Sequence, residues 1–356
     1  MFRPGRSEAI ARPSALTALG FGAAPLGNLY RQISDSDADQ AVAAAVAGGV
    51  GYFDVAPQYG RGLAEQRLGD ALAKHDPEQR AILSTKVGIL LRPDVDGGAS
   101  SESIFKSSTG LIPHYDYSYD AVMASIEASK KRLGGRAINI VYAHDLGRRA
   151  HGERHEERMA AFLEGGYRAL AELRSAGQID AIGLGVNEWE VCEEVLAQAD
   201  FDIMLLAGRY TLLEQSAAAT FLPLCEQRGV DVVIGGPYNS GILAMGTRSG
   251  GVPYYDYRPA DEAVIAKVAA IEAICDRHDV PLAAAALQFP LAAKPVVSVI
   301  PGFASAAELE QAIALVAWRI PYSFWHDLQD AGLIAPGVSI PHAPFGDPAA
   351  KDSLKQ

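Results

Sequence analysis

Short apolar runs alternate with longer amphipathic stretches along most of the chain. The apolar runs fall at 15–22, 51–54, 81–86, 138–144, 179–186, 203–207, 230–234 and 296–300. Each is short and apolar at nearly every position, the pattern of a strand buried on both faces of a parallel sheet. The stretches between them carry helical spacing. In 36–48, Ala41, Val42, Ala45 and Val46 share one face, with Ser34 or Ser36 as the cap. In 63–73, Leu68 and Leu72 point inward. Further helices are predicted at 119–133, 167–176, 188–197, 221–228, 261–278 with 282–289, and 306–320. Several end at glycine, at Gly134-Gly135, Gly177 and Gly229, as helix C-termini commonly do.

Strand followed by helix, eight times, predicts a parallel α/β sheet, and the count favours a closed (β/α)8 TIM barrel. No linker, low-complexity segment or charge run divides the chain, so residues 1–356 are expected to form a single barrel domain, with the barrel at about 15–320 and a tail at 321–356. The length beyond a barrel of ~250 residues falls in the segments 88–118, 145–165 and 235–259, and in the tail with Tyr322, Phe324 and Trp325. The three segments follow strands, so they belong to the C-terminal face, where barrel enzymes place their sites. The extra chain is therefore expected to gather around one pocket.

Composition narrows the partners. Of 356 residues, 49% are hydrophobic and 21% charged, and the formal net charge is -12, with an isoelectric point near 5.1. An acidic chain lacks the footprint for sequence-independent nucleic-acid binding, and no run approaches the ~18 apolar residues of a membrane span. Met1 to Pro13 has no apolar core of a signal peptide. Cys192, Cys225 and Cys275 are far apart and form neither a disulfide framework nor a zinc pattern. A reducing cytoplasm and a small-molecule substrate, with no nucleic acid and no membrane, are the expectations.

Three strand ends carry polar residues where apolar ones would be easier to bury: Asp54, Lys86 and His144. Tyr59 hangs in the loop after Asp54. A lone aspartate at a strand end is usually a cap, a lone lysine solvated and a lone tyrosine packing. Neighbouring strands lie ~4.8 Å apart, however, so four such groups at successive strand ends converge. Together they handle a proton. Lys86 beside Tyr59 is expected to favour the phenolate and lower its pKa. Asp54 balances Lys86, and His144 orients a substrate oxygen. The set supplies no nucleophile and no metal site. His151 and His155, among Glu153, Glu156 and Glu157, read as a solvated charged helix or loop.

The residues 53–60 (Phe-Asp-Val-Ala-Pro-Gln-Tyr-Gly), 83–88, 141–146, 182–187 and 298–302 together resemble the aldo-keto reductase family over about 17–315. The resemblance implies a nicotinamide cofactor bound without a Rossmann fold, Tyr59 as acid/base, Lys86 and Asp54 as its tuning pair, and His144 as the orienting group. It also places Gly22, Ala23 and Asp54 against the cofactor. Where the family often has Ser-Asn at the carboxamide, this chain has Val186-Asn187, so only Asn187 carries over. Ala207 stands where a glutamine is common. Pro237, Asn239, Ser240, Gly241 and Leu243 match the loop that folds over the pyrophosphate, and Gly302 to Ser305 offers a helix N-terminus to phosphate.

Gly302, Phe303 and Glu308 replace the family's cations for an adenosine 2′-phosphate. An acid suits ribose hydroxyls, and no cation is expected there, so NAD is preferred over NADP. The pattern of the whole chain is similar to a sugar-oxidising branch of the family, that of L-fucose (D-threo-aldose) 1-dehydrogenase and pyridoxal 4-dehydrogenase. That resemblance implies oxidation of an aldose at C1 to the lactone, with Asn28, Tyr117 and Trp189 as substrate contacts. Pyridoxal oxidation, or carbonyl reduction on the same barrel, is the alternative. Two other classes are weighed. A Rossmann dehydrogenase is disfavoured, because Pro25 replaces the third glycine in Gly20-Phe21-Gly22-Ala23-Ala24-Pro25 and the helix starts too late. A nicotinamide-binding regulatory subunit without turnover is disfavoured by the intact Asp54, Tyr59, Lys86 and His144 set.

Overall fold

A computed structural model of the chain describes residues 16–95, 104–106 and 109–342. Eight strands form one sheet in chain order: β1 Phe21–Gly22, β2 Tyr52–Asp54, β3 Ile82–Val87, β4 Ile140–His144, β5 Ala181–Val186, β6 Ile203–Ala207, β7 Asp231–Gly235 and β8 Val296–Ile300. All pair in parallel. The sheet closes on itself between β1 and β8. Gly20 N donates to Val299 O at 2.9 Å, Val299 N to Ala18 O at 2.8 Å and Gly22 N to Pro301 O at 2.9 Å. No helix among the described residues is long and apolar enough to cross a membrane.

Alternation across each strand fills two layers. Tyr52, Ile140, Tyr142, Ile203, Leu205 and Val233 pack inside the barrel. Phe53, Leu83, Val141, Ile182, Met204 and Leu206 join the larger core with the helices. Those helices are α1 Asp35–Ala47, α2 Leu63–His75, α3 Tyr119–Arg132, α4 Tyr167–Ser175, α5 Trp189–Leu196, α6 Phe221–Arg228, α7 Glu262–His278, α8 Leu282–Gln288, α9 Ala306–Val316 and α10 Tyr322–Asp330. The α1 cap is Ser34, in a reciprocal capping box with Asp37.

The structure departs from the sequence expectations in four places. The first strand is two residues long and not eight, because only Phe21 and Gly22 pair with β2. The segment after β3 folds as an antiparallel hairpin of Ile89–Pro93 with Leu111–Tyr115. The segment after β4 is largely helical, with Arg148–His151, His155–Ala161 and a π turn at Phe162–Gly166 leading into α4. There His155 is buried and not solvated: its Nε2 meets Glu194 Oε2 at 2.9 Å and its Nδ1 meets Leu146 O at 3.2 Å. The described part of the tail, 321–342, does not line the pocket. Its helix α10 buries Phe324 and Trp325 and pairs Asp327 with Arg277 and His278 of α7, on the outside of the barrel.

One backbone contact sets the loop that carries Tyr59. The 3-10 turn Ala24–Gly27 after β1 lies flat against residues 59 and 60. A Cβ on Gly27 would sit 2.5 Å from both Gly60 N and Tyr59 C, and Gly60 itself takes φ +61°. Only two glycines allow this approach. Gly27→Ala is expected to cost about 1–3 kcal/mol or more of stability by overpacking against backbone. Urea unfolding measures it, and retained catalytic activity at unchanged stability would show the contact to be slack.

Candidate active site

Parallel register brings the strand-end residues to one rim, since Gly22 pairs with Asp54, Asp54 with Ser84, Lys86 with Tyr142 and His144 with Gly185. The side chains of Asp54 and Lys86 are 3% and 1% exposed. Such burial of two charges costs several kcal/mol per ion unless geometry compensates, and here it does. Lys86 Nζ donates to Asp54 Oδ2 at 2.6 Å and to Val55 O at 3.0 Å. Ser84 Oγ donates to Asp54 Oδ1 at 2.7 Å. Below them Tyr52 OH lies 3.0 Å from Ser84 Oγ and 3.1 Å from Tyr142 OH, continuing the polar chain into the barrel. Gly185 makes room: a Cβ there would press on Lys86 Cε at 3.2 Å.

Tyr59 closes over this pair. Lys86 Nζ stands 4.8 Å from its ring centroid. His144 meets the ring edge-on at 5.9 Å, and Phe105 stacks on it at 5.7 Å. The sequence expectation of a lowered phenol pKa is not met. Burial, followed by the Asp54 carboxylate, pushes Tyr59 well above its ordinary value. The Lys86 charge is already matched by Asp54, so it does not offset that push. His144 is also neutral, because burial and then Lys86 hold its pKa down at about 3. Its Nδ1 is buried with no hydrogen-bond partner. The rim therefore presents a protonated phenol and a neutral imidazole above a matched ion pair, an arrangement that gives or takes one proton.

A cavity of about 590 Å3 runs from Tyr59 and Asp54 along the barrel mouth to α9. Gly22, Asn187, Ala207, Pro237, Asn239, Ser240, Gly241, Gly302 and Glu308 all line it. Their roles differ. Asn187 Nδ2 donates to Ala207 O at 3.1 Å. The Asn239 amide is engaged within the fold, accepting from Thr211 Oγ1 at 2.5 Å and donating to Gly208 O at 3.1 Å. Ser240 adopts φ +61° and accepts from Tyr257 N at 3.0 Å. Glu308 Oε2 accepts from Ala304 N at 2.7 Å, and its Oε1 pairs with Arg31 Nη2 at 3.1 Å. A cation does reach that end of the cavity, contrary to the sequence expectation; it comes from the loop after β1 and is neutralised by Glu308.

Six expected contacts lie elsewhere. Ala23 and Leu243 are buried away from the cavity, which Ala24, Ala244 and Met245 line instead. Ser305 caps α9 by accepting from Glu308 N at 3.3 Å. Asn28 Oδ1 is taken by Ile33 N at 3.1 Å and Arg67 Nη1 at 2.9 Å, a structural role. Tyr117 is buried behind His144 and donates to its carbonyl oxygen at 2.6 Å. Trp189 starts α5 and donates from Nε1 to Ser216 Oγ at 3.2 Å, in a separate depression outside the mouth.

The sequence reading missed a strap across the mouth. Tyr254–Tyr255 and Arg258–Pro259 form a small hairpin whose turn residues Asp256 and Tyr257 both have positive φ, +52° and +65°. Asp256 is held by Arg149 at 2.8 Å and by Arg209 at 3.0 Å, so loops after β4, β6 and β7 are cross-linked. The turn brings the Tyr257 hydroxyl beside Asn187, whose amide favours its ionised form against the burial that raises its pKa. The aromatic cluster at 254–257 was the available signal. Asp145, next to His144, was also passed over.

Breaking the buried pair tests its role in the fold. Lys86→Met leaves Asp54 without a counter-charge and is expected to cost about 3–5 kcal/mol. Adding Asp54→Asn should recover much of that loss in urea unfolding. Additive losses would show that the two charges do not stabilise each other.

Residues 18–332 match the aldo/keto reductase family. The chain is 44% identical over 329 residues to pyridoxal 4-dehydrogenase of Microbacterium luteolum, covering 90% of this chain and 95% of that one. It is 38% identical over 325 residues to D-threo-aldose 1-dehydrogenase of a Pseudomonas species, with the same coverage, 90% and 95%. In fold it resembles an aldo-keto reductase from Bacillus halodurans in its holo form, with a TM-score of 0.67 at 24% identity over 90% of this chain and 93% of the other. It also resembles glycerol dehydrogenase of Gluconobacter oxydans, with a TM-score of 0.70 at 19% identity over 95% and 98%. The chain belongs to the aldo/keto reductase family, and its eight-stranded parallel barrel is an oxidoreductase fold of that family.

Proposed function

We propose that the protein oxidises a cyclic hemiacetal to a lactone with NAD, the first substrate class being an aldose of the L-fucose type oxidised at C1. The observation that carries this reading is the Tyr59 phenol set over the Lys86–Asp54 pair at one end of the long cavity, with neutral His144 at its edge. The cavity suits an extended dinucleotide. Glycines 22, 236, 241 and 302 leave backbone, free of side chains, along its floor and walls, which allows the close approach a pyrophosphate needs. When bound, the nicotinamide accepts the hydride that leaves the hemiacetal carbon. This chain's own residues do the rest. Tyr59, in its phenolate form, takes the hydroxyl proton of that carbon as its oxygen becomes the lactone carbonyl, and His144 holds that oxygen in place.

Pyridoxal is the second reading, supported by the 44% identical relative. The pyridoxal aldehyde closes on its neighbouring hydroxymethyl group as a cyclic hemiacetal, so both substrates undergo one reaction. NAD preference rests on the far end of the cavity. Glu308 is fixed by Ala304 N and pairs with Arg31. The neutral pair suits ribose hydroxyls and offers no net charge to a 2′-phosphate.

Two outcomes test this. Initial rates of NADH formation against L-fucose, D-arabinose, L-galactose and pyridoxal should show turnover that Tyr59→Phe lowers by about a hundredfold or more. Since Tyr59 is held protonated, the phenolate fraction grows about tenfold per pH unit. Oxidation should therefore accelerate from neutral to alkaline pH, while the reverse reduction stays flat over that range. Cofactor binding without turnover would favour the regulatory alternative. Separately, Glu308→Ala frees Arg31 and should raise the NADP-to-NAD ratio of kcat/KM by about five- to tenfold. An unchanged ratio would remove Glu308 from cofactor choice.

A further inference from the structure

Asp145 follows His144 directly and is not needed by the chemistry above. Its backbone takes φ +50°, and its N–H donates to Gly185 O at 3.0 Å, so β5 fixes where the side chain starts. That side chain is 26% exposed, and Oδ2 lies 3.8 Å from His144 Nε2. The imidazole is neutral, so the contact is not an ion pair. Among the described residues no lysine or arginine pairs with Asp145 and no hydrogen bond reaches its carboxylate. Lys86, Arg149 and His151 act on it electrostatically without an ion pair or hydrogen bond to its carboxylate among the described residues, and aromatic rings stand near it as well. Asp145 stands close enough to Tyr59, Tyr115 and Tyr257 to act on all three phenols. Phe105 stacks on Tyr59, and Tyr115 packs edge-on against His151 at 4.8 Å.

A largely buried carboxylate with unfilled acceptor sites is costly to keep. Every other buried or half-buried acid at this rim is matched: Asp54 by Lys86 and Ser84, and Asp256 by Arg149 and Arg209. The unmatched acid sits beside the imidazole edge that faces the reacting oxygen, within aromatic walls. A ring with hydroxyl donors at its edge and C–H groups on its faces fits both features, the carboxylate taking the donors and the rings the faces.

We propose that Asp145 selects the substrate, its carboxylate accepting hydrogen bonds from hydroxyls on carbons adjoining the hemiacetal carbon. This rests on the hemiacetal-oxidising reading. It makes Asp145 a binding residue and leaves proton transfer with Tyr59.

The test compares L-fucose with tetrahydropyran-2-ol, a cyclic hemiacetal with no further hydroxyls, in the wild type, Asp145→Asn and Asp145→Leu. The wild type should favour L-fucose. In both variants KM for L-fucose should rise about tenfold to a hundredfold, as expected for lost bonds to a charged acceptor. Its kcat, and both constants for tetrahydropyran-2-ol, should change less than about threefold. Pyridoxal, whose hemiacetal carbon is attached to the ring carbon next to the one bearing a phenolic hydroxyl, forms a third arm. A KM effect there and not on L-fucose would transfer the selection to an aromatic hydroxyl and overturn the aldose form of the proposal.

Calorimetric titration of L-fuconolactone and δ-valerolactone into the NADH-loaded protein reads the same selection without turnover. If no hemiacetal is oxidised but fuconolactone binding is selectively lost in Asp145→Asn, the reaction reading fails and the role of Asp145 stands. Equal effects on hydroxylated and plain ligands, or none on either, overturn it. So does a wild type that binds L-fuconolactone no better than δ-valerolactone, a result that needs no variant to fold.

Discussion

The Asp54–Lys86 pair is the constraint on which the mouth of this barrel depends. Neither charge tolerates burial alone, and their mutual attraction compensates only at close range and with every remaining site occupied. The structure meets that demand from three strands. Asp54 ends β2, Ser84 and Lys86 lie on β3, and Gly185 on β5 leaves the volume through which the lysine stem passes. Strand register is thereby tied to electrostatics. A slip of one residue in β3 would turn Ser84 and Lys86 to the helix side and leave Asp54 unmatched within the sheet. Tyr59 and His144 then inherit their environment from the pair: low polarity, no net charge, and protons held where neutral groups hold them.

Much of the barrel is legible in the sequence because parallel strands are buried on both faces and read as apolar runs, and because glycines end several helices. Six of the eight strands lie within the predicted runs, and β3 and β7 each extend one residue past theirs. What is lost is informative. The run 15–22 is apolar for packing and for the β1–β8 closure, yet only two residues of it pair with β2, so hydropathy overstates the strand. The charged stretch 151–157 reads as solvated because Glu153, Glu156 and Glu157 dominate its composition. A helix can nevertheless turn one histidine inward, and His155 satisfies both ring nitrogens there. In the tail Phe324 and Trp325 are buried while Tyr322 is exposed, and burial has no address in sequence: theirs is the outer face of α7.

The strand-end groups Asp54, Lys86 and His144 were visible for a simple reason: polar residues at the ends of buried strands are exceptional, and register brings them together; Tyr59 was found through the loop that follows one of them. Loop residues carry no such mark. Tyr257 reaches Asn187 only through a turn with two positive φ values, held by two arginines from other loops. Asn28, Tyr117 and Trp189 were plausible by type, but each is already engaged by the fold itself. Arg31 shows the same limit from the opposite side. Its pairing with Glu308 joins residues 277 positions apart, and no local pattern announces it.

Two carboxylates flank Tyr59, and their difference separates chemistry from recognition. Asp54 is charge-matched by Lys86 and accepts from Ser84, so its first demand is met within the fold and it holds Lys86 in place. Asp145 has no ion-pair or hydrogen-bond partner for its carboxylate among the described residues, so its acceptor sites remain open 3.8 Å from His144 Nε2. Environment rather than residue type assigns the two roles, as it does wherever paired acids in one site diverge. On the proposed hemiacetal-oxidising reading, the division would let one rim serve different hemiacetals. In that reading the matched pair would set the proton chemistry for any of them, while the open acid and its aromatic walls would respond to the ring that carries the reacting carbon. Changes confined to Asp145 and the strap can then redirect substrate choice while the register-bound core of the site stays intact.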